Sequence, residues 1–154
     1  MAESSLQDRY APHNACFGCG PANDKGLRIK SRVEGEELVA DWTPEPHHAG
    51  FPGSLNGGIV GALFDCHSNW TAAYHLMRKA GSEELPSTVT ADFAVKLLRP
   101  TPTDRQLRLR AHVVESSQRR AVVEASLEVD GEVCATCRGT FVAVKPDHPA
   151  FGRW

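Results

Sequence analysis

The sequence predicts an α+β fold in which one long helix packs against a curved antiparallel sheet. Apolar residues recur at helical spacing between Ile59 and Met77, and the chain after this segment alternates between apolar and polar residues in short runs. One helix that follows a hairpin and precedes a series of antiparallel strands is typical of an α+β domain. The 154 residues suit a single domain, and no internal repeat is visible.

The chain before the helix is predicted to hold an irregular arm, a hairpin and a loop. Residues 1–24 are rich in Pro, Asn, Gly and Cys without a hydrophobic period, so we expect an irregular N-terminal arm. Two short alternating runs flank Glu34-Gly35, which is a hairpin signal. Residues 43–55 contain three Pro and two Gly and predict a long loop, which in a small domain is often functional.

The helix and the strands that follow have clear boundary signals. Asn56 is suited to cap the helix, and Gly81 marks its end. Four alternating runs follow, at residues 88–99, 106–115, 121–129 and 132–144. The last two runs are joined by Asp130-Gly131, a strong hairpin turn. Residues 145–154 are predicted to form a short tail broken by Pro.

Composition narrows the classes of function. The net charge of −2 gives no basic bias of the kind that nucleic-acid binding requires. The most apolar stretch contains an Asp, an Asn and two His, which are costly in a lipid-facing helix, and the N-terminus has no apolar signal core. We therefore expect a cytoplasmic protein with neither a nucleic-acid nor a membrane partner.

One carboxylate stands out on the helix. The face opposite the apolar stripe carries small residues and one acid: Gly58, Gly61, Asp65, Ser68, Asn69 and Ala72. Asp65 is the only formally charged residue between Pro46 and Met77. A carboxylate in such a confined place needs a partner or a chemical use. The alternative is a structural hydrogen bond to a neighbouring strand.

The start of the helix offers free backbone donors. Gly57 and Gly58 occupy the first turn, where N–H groups have no partner in the helix and the helix dipole favours negative charge, as in an oxyanion hole. The alternative is a tight turn that needs glycine. Gly57 and Asp65 are eight residues apart, or about 12 Å along a helix, so one reacting carbon cannot contact both. They can cooperate only across a two-fold dimer, which we therefore predict to be obligate.

Three segments carry a resemblance to a known family. These are CFGCGPANDKGLRIK, HHAGFPGSLNGGIVGALFDCH and TVTADFAVKLLRPTP. They resemble the hotdog thioesterase superfamily, and most of all its phenylacetyl-CoA and 4-hydroxybenzoyl-CoA thioesterase-like branch, from about Cys16 to Val144. The most specific pattern is H-x-G-x-P-G-x-x-[HN]-G-G with an acid seven residues later.

The resemblance implies both architecture and activity. It implies the hotdog fold over one domain, residues 1–154, with a long helix wrapped by the sheet. It implies homodimers, often paired into tetramers, with the acid from one protomer and the glycine N–H from its partner. It also implies hydrolysis of an acyl-coenzyme A thioester without a metal or a cofactor other than the coenzyme A of the substrate.

Site roles follow from the same resemblance. Asp65 falls on the catalytic acid, as a general base on water or as a nucleophile, and the sequence leaves both open. Gly57 and Gly58 fall on the oxyanion glycines, and Thr90 falls where relatives place a hydroxyl that positions water. Asn56 replaces the His of many relatives; it can hydrogen-bond a carbonyl but cannot transfer a proton.

Substrate contacts are expected from residue type alone. Side chains of the loop and helix could line an acyl pocket: Phe51, Leu55, Phe64 and Trp70. His48, in the same loop, could supply a polar contact to the substrate. Three arginines are candidates for the coenzyme A phosphates by their charge: Arg99, Arg119 and Arg120. The alternative for each is an ordinary loop, core or strand-end residue.

The cysteines do not predict a metal site. Two C-x-x-C pairs, Cys16/Cys19 and Cys134/Cys137, would have to meet to form a four-cysteine zinc site. The second pair lies in an alternating strand, where positions three apart face opposite sides. Cys66 lies on the apolar stripe and is expected to be an inert core residue.

Three other functions remain open. A non-catalytic acyl-coenzyme A-binding module would keep the glycines but tolerate the loss of Asp65. A hotdog hydratase acting on an enoyl thioester would need a paired Asp and His, which the helix lacks in recognisable form. A scaffolding dimer would bind no thioester.

Overall fold

The computed structural model describes residues 4–154. The helices are α1 (Leu6–Tyr10) and α2 (Gly57–Lys79). The strands are β1 (Arg32–Glu34), β2 (Glu37–Trp42), β3 (Ala49–Phe51), β4 (Ser54–Leu55), β5 (Thr88–Leu97), β6 (Leu107–Ser116), β7 (Arg120–Val129) and β8 (Glu132–Ala143). The predicted order of a hairpin, one long helix and four strands is confirmed. The predicted loop at 43–55 also holds a 3₁₀ turn and the small β3–β4 hairpin.

Six of the strands form one antiparallel sheet in the order β1-β2-β6-β7-β8-β5. Helix α2 packs across one face of this sheet and contacts β5, β6, β7 and β8. The result is the hotdog fold, a long helix wrapped by a curved sheet. The ten-residue strand β5 pairs only with β8, so its other edge carries no strand within the described chain.

Two tight turns set the register of the hairpins as predicted. Asp130 and Gly131 both have positive φ, +52° and +80°, which is the backbone of a two-residue hairpin loop between β7 and β8. Gly35, with φ +64°, turns the chain between β1 and β2. Glycine suits these positions because it has no Cβ to clash at positive φ.

Helix α2 begins and ends where its sequence signals indicate. The Asn56 side chain caps it by accepting a hydrogen bond from the N–H of Ile59 at 3.1 Å, and Gly81, at φ +66°, ends it. Every residue from His67 to Ala73 is buried, so the middle of the helix is covered on all sides. Within residues 4–154, no helix is both long and apolar enough to cross a membrane.

The N-terminal arm differs from the prediction of an irregular segment over 1–24. Residues 1–3 lie outside the described part, but Leu6–Tyr10 form α1, capped by the side chain of Ser5. Leu6, Ala11 and Ile29 are buried in the main core. A helix of five residues is too short to give a hydrophobic period, which is why the sequence pattern missed it.

A series of hydrogen bonds between buried polar groups links this arm to α2. The Gln7 Nε2–H donates to Ser31 Oγ at 2.9 Å, and the Ser31 N–H donates to Gln7 Oε1 at 2.7 Å. His67 Nε2 lies 2.9 Å from the carbonyl oxygen of Leu38, which can only accept, and His67 Nδ1 lies 2.8 Å from Ser31 Oγ. His67 therefore donates through Nε2. Burial lowers the pKa of His67 to about 4, so at neutral pH the ring is neutral and accepts the Ser31 hydroxyl proton through Nδ1.

The C-terminal tail covers the other end of α2. The ring of Trp154 packs against Trp70 with centroids 4.5 Å apart, and its Nε1–H donates to the carbonyl of Pro86 at 2.7 Å. The Asn14 side chain donates to the carbonyl of Arg153 at 2.7 Å and so joins the arm to the tail. The tail predicted at 145–154 is thus a packed part of the domain.

The buried His67 predicts a loss of stability in acid. Burial lowers its folded-state pKa to about 4, whereas the unfolded chain has the ordinary pKa of 6.5. Between these values only the unfolded state binds the proton, so the free energy of unfolding falls as the pH drops through this window. At about 1.4 kcal/mol per pH unit the loss approaches about 3 kcal/mol. Urea titrations across this pH range measure it.

A variant without the titrating ring isolates this effect. We expect His67→Gln to be less stable than the wild type at neutral pH and to lose less stability on acidification. His13→Gln is the matched control because His13 is exposed. Parallel stability-against-pH curves for the wild type and His67→Gln would contradict the role assigned to His67.

Candidate functional site

Asp65 and Thr90 lie together between α2 and β5. The Thr90 Oγ1–H donates to Asp65 Oδ1 at 2.5 Å, and both residues are half-buried. The pairing register of β5 with β8 shifts just after Thr90, between Thr90 and Asp92. The hydroxyl that was expected beside the acid is therefore in contact with it.

Strand β5 runs along α2 in the opposite direction, and small residues on the helix let it approach. A Cβ added to Gly57 would lie 3.4 Å from Leu97, and one added to Gly61 would lie 3.8 Å from Phe93. Leu97, Phe93 and Thr90 thus follow the helix from its first turn to Asp65. The small helix face predicted from the sequence is the face that receives β5.

A cysteine near Asp65 is held in its neutral form. Cys137 is buried on β8, opposite Val95 of β5. Burial, reinforced by the negative charge of Asp65, raises the pKa of Cys137 to about 11. Because a thiol is a much weaker nucleophile than a thiolate, Asp65 is the group here that is suited to react or to take a proton.

Three buried polar atoms continue this polar region beyond Asp65. The atoms Ser68 Oγ, Asn69 Oδ1 and Thr88 Oγ1 have no hydrogen-bond partner among the described residues. Ser68 and Asn69 are three and four residues after Asp65 and share its helix face. The Asn69 Nδ2–H donates to the carbonyl of Thr88 at 3.3 Å, which joins the helix to β5. Sequence reasoning had noted Ser68 and Asn69 only as small residues.

The first turn of α2 is open to solvent. Asn56, Gly57 and Gly58 are exposed, and the N–H groups of a first turn have no partner inside the helix. The Asn56 Oδ1 is occupied by the helix cap, while its amide N–H groups remain available as donors. A Cβ on Gly58 would lie 2.9 Å from this Oδ1, so a side chain at that position would displace the capping oxygen.

The predicted acyl contacts are only partly accessible. Leu55 is 5% exposed and Phe64 is 0% exposed, and both belong to the core of the protomer, as does Trp70. They offer no surface to a substrate, and this part of the prediction is corrected. Phe51, at 61% exposed, is accessible on the β3–β4 hairpin.

His48 has a structural role in its loop. Its Nδ1 accepts the N–H of Glu45 at 2.9 Å and closes the 3₁₀ turn, and its ring lies 5.1 Å from that of Trp42. Burial, with the neighbouring His47, lowers its pKa. A contact with substrate would use only the remaining ring nitrogen.

The arginines proposed for phosphate binding all have partners within the chain. Arg99 is paired with Glu132 at 2.8 Å in an exposed position. Arg119 donates to the carbonyl of Ala143 at 2.7 Å. Arg120 lies 3.7 Å from Glu115. Of the three, only Arg119 bonds to the backbone, and this hydrogen bond links the start of β7 to the end of β8.

The larger clefts on residues 4–154 lie away from Asp65. Of the larger clefts on residues 4–154, one lies on the sheet face that carries Arg110 and Arg138. Another lies between the β1–β2 hairpin and the second half of α2, beside His75. Asp65 lines neither cleft, so a substrate bound there would need a further wall.

A cluster of three cysteines was missed by sequence reasoning. The sulfurs of Cys16, Cys19 and Cys66 all lie within 4.8 Å of one another. Cys66 is therefore not an isolated core residue, as its place on the apolar stripe had suggested. The contact joins positions 50 residues apart, which neither spacing nor period can predict.

Comparison with known proteins yields matches among solved structures. No protein-family model and no curated protein matches the sequence. A thioesterase superfamily protein from Shewanella loihica is 30% identical, with 81% of this chain and 98% of that chain covered and a TM-score of 0.67.

Two more distant structures share the fold. The PaaI protein from the phenylacetic acid degradation operon of E. coli is 18% identical, with 81% of this chain and 88% of that chain covered and a TM-score of 0.65. Thioesterase Superfamily Member 2 of zebra fish is 19% identical, with 80% and 90% covered and a TM-score of 0.64.

Proposed function

The chain belongs to the hotdog-fold thioesterase superfamily, and from this premise we propose that it hydrolyses an acyl-coenzyme A thioester with Asp65 as the catalytic acid. The observation that carries the proposal is the contact between Asp65 and Thr90. Asp65 lies on the face of α2 that is lined by small residues, and Thr90 faces it from β5. Both residues are half-buried. A carboxylate placed in this way is suited to act on water or on a carbonyl carbon.

Asp65 has two possible roles in this reaction. As a general base it would accept a proton from the water that attacks the thioester carbon. As a nucleophile it would attack that carbon itself, expel the coenzyme A thiolate and form an anhydride that water then cleaves. In both cases the Thr90 hydroxyl fixes one carboxylate oxygen and leaves the other free. A single turnover in ¹⁸O-water tests the nucleophilic role. Label in Asp65 requires an anhydride that water cleaves at the Asp65 carbonyl, because the general-base route puts the oxygen of water into the product acid.

We further propose that the site is completed by a second copy of the chain at the β5 edge. An unpaired strand of ten residues with exposed apolar side chains is a surface that proteins normally cover. Phe93 is 42% exposed and Leu97 is 60% exposed on this strand, and Leu98 follows at 57%. Pairing of β5 with the β5 of a partner would cover them in one continuous sheet.

The geometry of this pairing accounts for how distant groups would meet. Thr90 and Leu97 lie at equal distances from the midpoint between Phe93 and Ala94. A two-fold axis at that midpoint would bring Thr90 opposite the Leu97 of the other copy. Leu97 lies against Gly57 and Thr90 against Asp65, so the first helix turn of one copy would approach the acid of the other.

In this arrangement the free N–H groups of the first turn would serve as the oxyanion hole. The Gly57 and Gly58 N–H groups would donate to the thioester oxygen as it gains negative charge, and the positive end of the helix dipole would act in the same direction. The Asn56 amide N–H is a further donor beside them. Arg99 and Arg120 are both exposed and paired only at the surface. Of the two, Arg99 is the more suitable for a phosphate of coenzyme A, since it lies two residues after Leu97, which lies against Gly57.

The first experiment removes the acid. We expect Asp65→Asn to reduce kcat for acyl-coenzyme A hydrolysis by ~100-fold or more, because general acid–base groups contribute at least this much. Free thiol release is followed over a panel of aromatic and aliphatic thioesters. Asp24→Asn is the matched control, since Asp24 is an exposed acid outside the site. Binding of thioesters without turnover in the wild type would replace this proposal with a binding module.

The role of the Thr90 hydroxyl is tested by two substitutions. Thr90→Val keeps the shape but removes the donor to Asp65, and a hydrogen bond to a charged group is worth about 1.5 kcal/mol or more, so kcat should fall about tenfold or more. Thr90→Ser keeps the hydroxyl and should retain most of the activity. Full activity in Thr90→Val together with a loss in Thr90→Ser would show that the methyl group, and not the hydroxyl, is what matters.

Sharing of the site between protomers is tested by complementation. Asp65→Asn and Gly57→Val should each be inactive alone. If the two variants are unfolded and refolded together in equal amounts, half of the dimers are mixed and each mixed dimer has one intact site, so about one quarter of the wild-type activity returns. No recovery, with mixed dimers confirmed by native mass spectrometry, would place both groups in the same protomer.

A further inference from the structure

Cys16, Cys19 and Cys66 converge on one point between the N-terminal arm and α2. Cys16 and Cys19 lie in a turn of the arm, and Cys66 lies on α2, immediately after Asp65. The sulfurs of Cys16 and Cys66 are 3.8 Å apart, and all three sulfurs lie within 4.8 Å of one another. All three are free cysteines, with Cys19 buried and the other two half-buried.

The turn that carries Cys16 and Cys19 is shaped for this contact. The Gly20 N–H donates to the Cys16 carbonyl at 2.8 Å and closes the turn. A Cβ on Gly18 would lie 2.3 Å from the sulfur of Cys66, and a Cβ on Gly20 would lie 2.4 Å from the Cys16 nitrogen. Glycine is therefore required at both positions for the turn to form and to reach the helix.

The indole of Trp70 adds a polar contact to the cluster. Its Nε1–H donates to the Cys19 sulfur at 3.3 Å. A hydrogen bond to a sulfur stabilises the negatively charged thiolate, which is the form that binds a metal ion.

We propose that Cys16, Cys19 and Cys66 form a binding site for one thiophilic divalent metal ion, of which Zn²⁺ is the principal candidate. Zinc–thiolate bonds are about 2.3 Å long, so two sulfurs of a tetrahedral site lie about 3.8 Å apart. The Cys16–Cys66 separation already has this value. Thiolate sulfur is also the ligand type that selects zinc over magnesium or calcium.

The cluster supplies three of the four ligands of a tetrahedral site. No fourth ligand accompanies these three among residues 4–154, so water or another small ligand would take the remaining position. The ion would join the arm to α2 at the residue next to Asp65 and so hold that part of the helix in place. Thiolates are the ligands, so metal binding competes with protons and affinity falls in acid.

A disulfide is the other use that three close cysteines suggest. A disulfide requires sulfurs about 2.05 Å apart, so Cys16 and Cys66, with sulfurs 3.8 Å apart, are in the reduced form in this structure. The proposal therefore concerns the reduced cluster, and oxidation to a disulfide would prevent metal binding.

Cobalt substitution tests the site directly. The full-length protein is reduced, stripped of metal and titrated with Co²⁺, and thiolate-to-cobalt charge-transfer absorption is followed until Zn²⁺ displaces the cobalt. We expect one metal per chain, a tetrahedral cobalt spectrum and a higher melting temperature with Zn²⁺. Each of Cys16→Ser, Cys19→Ser and Cys66→Ser should weaken binding about 100-fold or more, since even loss of an outer partner costs up to about that much.

Two further variants separate the site from general effects. Cys134→Ser removes a cysteine of the second C-x-x-C pair, on β8, and should bind metal as the wild type does. Gly18→Ala keeps all three thiols but forces Cys66 away from Cys16, and it should bind more weakly. It tests the geometry even if Cys66→Ser fails to fold.

The results that overturn the proposal are specific. Absence of the charge-transfer band in the reduced wild type, or a band of full strength in Cys66→Ser, would eliminate the three-cysteine site. A Cys16–Cys66 disulfide in air, without metal binding after reduction, would assign the cluster to redox chemistry instead. None of these readouts depends on thioester hydrolysis, so failure here leaves the catalytic proposal untouched.

Discussion

Enclosure of helix α2 is the constraint on which the rest of the molecule depends. The sheet covers one side of the helix, and the arm and the tail cover the others, so its middle turns are buried on every side. A helix in this position cannot carry charged side chains without compensation. The one carboxylate it does carry, Asp65, lies against β5, where it accepts a hydrogen bond from Thr90. Burial of the helix therefore both stabilises the fold and singles out the carboxylate proposed to react.

Coverage of the helix also explains why buried polar groups are hydrogen-bonded to one another in series. Gln7, Ser31 and His67 satisfy one another and end on the carbonyl of Leu38. Each group has a donor or acceptor that matches its neighbour, which is what allows them to be buried without large cost. Near Asp65 the pattern changes, because Ser68 and Asn69 keep unpaired oxygen atoms. The fully paired region acts as structure, whereas the region beside Asp65 retains unused hydrogen-bonding atoms.

Features that depend on neighbouring residues could be predicted from the sequence. The Asn56 cap and the turn at Asp130-Gly131 follow from local backbone chemistry. The positions of the strands along the chain follow from the alternation of apolar and polar residues. The contact between Asp65 and Thr90 was expected only through the resemblance to a family, because no local rule joins positions 25 residues apart.

Other features could not have been predicted by the same means. Helix α1 is too short to show a period, and the burial of Phe64 follows from a face of α2 that the apolar stripe did not include. The approach of Cys66 to Cys16 depends on how the arm folds back onto α2, where Gly18 leaves room for the Cys66 sulfur. Such contacts are decided by tertiary packing, which a single sequence does not reveal.

The docking of the arm has a consequence for biosynthesis. The ribosome releases Gln7, Cys19 and Ser31 before their partners on α2. Ser31 bonds to His67 and links Gln7 to it, and Cys19 accepts a hydrogen bond from Trp70. The arm therefore has no surface to dock on until α2 has emerged, and α2 has no sheet to pack on until four more strands follow. Few stable intermediates are available to a nascent chain of this kind, so completion of the fold is expected to be a late and concerted event.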